Sequence, residues 1–74
     1  MKTMELIFAD LLSPDQLMED DIIKYGGEFL TVKTITAVAD GYDIETVNDF
    51  DERETIFVLD DAMLNWYVYP IDND

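Results

Sequence analysis

The chain has 74 residues, with 18 acids against four bases for a net charge of −14, and it has no His and no Cys. At this length it reads as one domain, residues 1–74, burying only about 60% of the surface that its unfolded form exposes, so its stability is marginal. Contact with the phosphates of DNA, RNA or an anionic membrane is excluded as a main role, because such contacts need Lys and Arg. Disulfides and thiolate metal sites are excluded with cysteine. An apolar fraction of 49%, including four Phe, four Tyr and one Trp, argues for a folded core. The opening residues lack the pattern of a signal peptide and no apolar run is long enough to span a bilayer, so the expected location is cytoplasmic.

In chain order, the N-terminus is the least clear. Met4, Ile7, Phe8, Leu11 and Leu12 fall at helical spacing, while MELIF also suits a strand. Closure of a small barrel favours the strand. Ser13-Pro14-Asp15-Gln16 then carries a helix-start signature: Ser13 at the N-cap, Pro14 at the first helical position and Gln16 completing a capping box. One helical turn over 14–18 fits before Glu19-Asp20-Asp21 leads into a strand at Ile22-Ile23.

Two dipeptides predict hairpin turns, Gly26-Gly27 and Asp40-Gly41, since primed turns need positive φ. Taken as two-residue loops, they set the registers. Around the first, Tyr25 faces Glu28 and Ile23 faces Leu30. Around the second, Ala39 faces Tyr42, Ala37 faces Ile44 and Ile35 faces Thr46. Leu30 and Val32 then lie on one face of a long strand, and Ile35, Ala37 and Ala39 on the face of opposite parity. A single core takes both sets only if the strand bulges or bends near Lys33-Thr34. Further strands are expected at 55–59 and at Trp66 to Pro70, with a single helical turn over 60–64 between them and a frayed tail at 71–74. The predicted fold is all-β: a small SH3-like barrel of five to six antiparallel strands with one or two single-turn helices.

The stretch LSPDQLMEDDIIKYGGEFLTVKTI, followed by DGYDIETVND, resembles the small SH3-like barrel at the N-terminus of translation elongation factor P, over residues of about 17–48. There an L-x-x-G-D-x-I lead-in precedes a short hairpin and a long bent strand. This chain has Glu19 or Asp20 where that family has Gly and lacks its basic RNA-facing surface, so the nucleic-acid role does not carry over. In size and acidity the chain also resembles the short acidic proteins common in tailed-phage genomes, which would place it in a host cytoplasm.

Candidate chemistry centres on VNDFDERETI, residues 47–56. A calcium loop starting at Asp49 fails, because Arg53 and Glu54 occupy the fifth and sixth positions, where a ligand and a Gly belong. Lacking His and Cys, the chain has no ligand set for zinc or redox iron and no nucleophile–base pair, so no enzyme and no cofactor are expected. The favoured reading is a binding protein that docks on a basic protein surface, in its narrower form a mimic of nucleic acid inhibiting a host nucleic-acid-binding protein. Asp43 and Glu45, two apart on one strand face, are about 6.6 Å apart, close to two phosphate steps. With Asp49, Asp51, Glu52 and Glu54 they would stand in for phosphates, and Tyr67 and Tyr69 would serve as apolar anchors. The alternative is a self-associating structural or assembly protein whose acidity serves solubility only.

Overall fold

The Gly26-Gly27 turn forms as the dipeptide predicts. In the computed structural model, which describes residues 5–70, both glycines have positive φ, +60° and +81°. That pair of left-handed residues matches the right-handed twist of the strands it joins. The strands are β2 (Ile22–Tyr25) and β3 (Glu28–Val38), with Ile23 opposite Leu30 and Tyr25 opposite Glu28, the expected register.

The second hairpin forms two residues away from its expected register. Val38 lies opposite Gly41, the first residue of β4 (Gly41–Val47), so the loop is Ala39-Asp40. Ala37 faces Tyr42 and Ile35 faces Ile44, correcting the pairings of Ala39 with Tyr42, Ala37 with Ile44 and Ile35 with Thr46. The reason is local crowding. A Cβ on Gly41 would fall on the Val58 carbonyl oxygen and within 2.9 Å of Leu59 Cα, so this glycine is needed inside a strand rather than in a turn.

The bulge expected near Lys33-Thr34 is present. The β3–β4 ladder shifts between Val32 and Thr34, leaving Lys33 as the extra residue. The Val32 N–H donates to the Asp21 carbonyl and the Asp20 N–H to the Val32 carbonyl, both at 2.8 Å, so the bulge is tied to the lead-in of β2. Across it, Leu30 and Val32 are buried on the same core as half-buried Ile35.

Two more strands and an N-terminal one complete the sheet: β1 (Ile7–Leu12), β5 (Arg53–Leu59) and β6 (Leu64–Val68). The N-terminal segment is thus a strand, beginning later than MELIF, while the tail at 71–74 lies outside the described residues. The order is β1-β6-β2-β3-β4-β5, one antiparallel sheet that is not closed into a barrel. This corrects the barrel expectation. β1 pairs with β6 and β5 with β4, and these two end strands do not pair with each other. β6 begins at Leu64 and ends before Pro70, and 60–63 form a turn closed by the Ala62 N–H on the Leu59 carbonyl, not the helical turn expected over 60–64. Residues Pro14–Gln16 do form one 3-10 turn, with Gln16 Oε1 accepting the Ser13 N–H at 3.0 Å, the reach-back half of the capping box.

The core lies on one side of the sheet: Leu17, Ile23, Leu30, Val32, Ile44, Ile56, Val58 and Leu64. Thr46 is fully buried among them, and its Oγ1 donates to the Glu54 carbonyl at 2.8 Å, which removes the cost of an unpaired hydroxyl.

Candidate functional site

The acidic stretch of residues 47–56 closes around Asn48. Its side-chain oxygen accepts the N–H groups of Phe50 at 2.9 Å and Glu52 at 3.0 Å, and its Nδ2 donates to Glu52 Oε1 at 2.9 Å. The Asp51 N–H returns to the Asn48 carbonyl, and the Asn48 N–H to the Glu52 carbonyl. Asx turns of this kind let a short polar side chain replace backbone pairing, and Asp51 occupies the left-handed region with φ of +62°. The result is an ordered tip that holds Phe50 out in solvent at 82% exposure, flanked by Asp49 and Asp51. Phe50 is not among the site residues expected from the sequence; its signal there is a lone large apolar residue amid a charged turn.

The candidate acids do not form one row. Asp43 and Glu45 share the outward face of β4, opposite Phe57 and Thr55 of β5 and Thr36 and Thr34 of β3. Asp49, Asp51 and Glu52 belong to the tip loop. Glu54 lies opposite Thr46 and so has the parity of the core face, at the sheet's edge. Glu45 is engaged by Arg53, Nη1 to Oε2 at 3.4 Å, and Glu52 by Asn48.

Tyr67 and Tyr69 also differ. Tyr67 is half-buried on the outward face, packed edge-on against Phe8 at 5.7 Å and Phe29 at 5.0 Å between ring centroids. This row of three rings spans β1, β6 and β3, and its members outside β6 are not legible in the sequence, because Phe8 meets Tyr67 through the β1–β6 pairing and Phe29 through β2 between β6 and β3. Lys24 Nζ lies 5.5 Å from the Phe29 centroid. Phe29 also meets the acidic tip, bounding a hollow of about 210 Å³ with Gly27, Glu28, Asn48, Asp49 and Phe50. Tyr69 is exposed and lines a separate hollow with Tyr67, Asp20 and Asp21.

Electrostatically, the described cations are all engaged. Lys33 pairs with Asp20 at 3.4 Å, Arg53 with Glu45, and Lys24 sits over Phe29. Among the described residues no other acid has a cationic partner, no group of three or more acids converges into a metal-holding set, and no helix is long and apolar enough to cross a membrane. No family model matches the chain, and no curated protein or solved structure matches it either.

Proposed function

We propose that this chain is a non-enzymatic acidic binding protein that docks, in the cytoplasm, on a basic protein surface of the kind that holds nucleic acid. The observation that carries this reading is the engagement of every described cation, which leaves the acids of the loops, of the outward face of β4 at Asp43 and of the sheet edge at Glu54 to act on the surroundings. A field of one sign raises the rate of encounter with an oppositely charged partner and fixes its orientation. The tip loop supports the same reading, because a hydrogen-bonded backbone presents an aromatic side chain among carboxylates, and little backbone ordering is then left to binding.

Changing Asp43, Glu45, Asp49 and Asp51 to their amides is expected to abolish capture of a basic nucleic-acid-binding protein in a pull-down at low salt and to leave the circular dichroism unchanged. Both added salt and competing DNA are expected to displace the captured protein. Capture that is indifferent to the four changes, to salt and to DNA would refute the docking role. Self-association is favoured by a different observation, two strand edges without partners among the described residues, beside exposed Phe8, Leu11, Phe57 and Leu59. A closed oligomer in sedimentation at high salt would support that reading instead.

A further inference from the structure

The two edges of the sheet are built differently. The β1 ladder is broken at Ala9, between Phe8 and Asp10, and Asp10 stands opposite Trp66 with its Oδ1 accepting the Leu11 N–H at 2.7 Å. A bulge and a carboxylate in mid-edge are devices that keep another strand from adding. β5 has neither. Its seven residues run in uninterrupted register with β4, and Thr55–Leu59 (TIFVL) contains no charge and no proline. Among the described residues it has no strand partner on its far side.

Beside that free edge lies a cleft of about 440 Å³, where the chain leaves β5 and crosses to β6. It is lined by the buried residues Val58 and Leu64 and by exposed Tyr25, Phe57, Leu59 and Met63. This seam lies between the end of β5, the crossing to β6 and the β2–β3 turn. Asp61 also lines it, Asp60 adjoins it, and Glu54 marks the other end of β5. Lys24 lines the cleft too, with its Nζ 5.5 Å from the Phe29 centroid, and Arg53 at the far end of β5 is turned to Glu45.

We propose that this seam accepts an extended segment of a basic partner, paired through its backbone with the free edge of β5. Apolar side chains of the segment enter the cleft against Phe57, Leu59 and Met63, and basic ones meet Glu54, Asp60 and Asp61. Strand addition draws affinity from main-chain hydrogen bonds and specificity from pockets for alternate side chains, and edge and cleft together supply both. Charge complementarity selects the occupant. A second copy would bring a net charge of −14 against the same, whereas a basic segment neutralises it. The inference rests on the acidic-docking reading and adds the form of the partner.

The test uses three short peptides: one alternating Val and Lys, the same peptide N-methylated on alternate backbone nitrogens, and one alternating Ser and Lys. The Val-Lys peptide is expected to bind the full chain and to slow amide exchange across Thr55–Leu59 by about tenfold or more. Leu59→Lys, at an exposed position, is expected to weaken that binding by about tenfold, and N-methylation to remove it. If methylated and unmethylated peptides bind alike, or binding leaves β5 exchange unchanged, the seam proposal fails while acidic docking stands. If none of the three peptides binds at low salt, acidic docking fails and the seam proposal with it. A dimer in sedimentation that Leu59→Lys dissociates would show the occupant to be a second copy and would also overturn it.

Discussion

The first and second hairpins each contain glycine next to a turn, and they use it for opposite reasons. At Gly26-Gly27 a Cβ would meet nothing within 4 Å, and what matters is positive φ. At Gly41 the conformation is not left-handed, and what matters is space, because the β5 backbone lies where a side chain would begin. Turn glycines therefore act through the backbone torsions of their own residue, which neighbouring sequence reports. A strand glycine acts through a neighbour some eighteen residues away, which it does not.

Substitutions should separate the two. Gly41→Ala is expected to have the largest effect, a loss of about 3 kcal/mol or more, because a backbone rather than a flexible side chain must move. Urea denaturation measures it, and a loss below about 1 kcal/mol would mean that β5 yields easily. Asn48→Ala follows, at about 1–2 kcal/mol, since the third hairpin relies on a side chain where the first relies on torsions, and two N–H groups lose their acceptor. Gly27→Ala should cost about 1 kcal/mol, the ordinary penalty for a Cβ at positive φ. Gly26→Asn, read in the same assay, should be close to neutral, as Asn-Gly suits this turn. Smallest of all, raising salt from low to moderate should increase Tm by a few degrees, under about 1 kcal/mol, by screening self-repulsion. A Tm that is flat or falls would show that the charge is not straining the fold.

The second hairpin also shows how much survives a wrong register. The expected pairing is displaced by two residues, and a displacement of two preserves which face each side chain takes. Asp43 and Glu45 therefore lie outward as the sequence indicates, and Ile44 and Thr46 inward, although every partner differs. A slip of one would have inverted them all. The bulge at Lys33 was legible for a related reason: two runs of opposite parity flanked it, and only an extra residue reconciles them with one core.

What the sequence by itself determined is local or periodic. It specified strands, the Gly26-Gly27 turn, the reach of Gln16 to Ser13, the Lys33 bulge and an acidity with too few cations to balance it. Each depends on torsions, alternation or charge within a few residues. The tertiary structure alone decided that β1 meets β6, that β5 is left with a free edge, that Gly41 sits beneath a passing strand, and that Phe8, Tyr67 and Phe29 come together. Those outcomes depend on pairings between segments far apart in the chain. Alternating strands are compatible with several such partners, and only the burial of one common core selects among them.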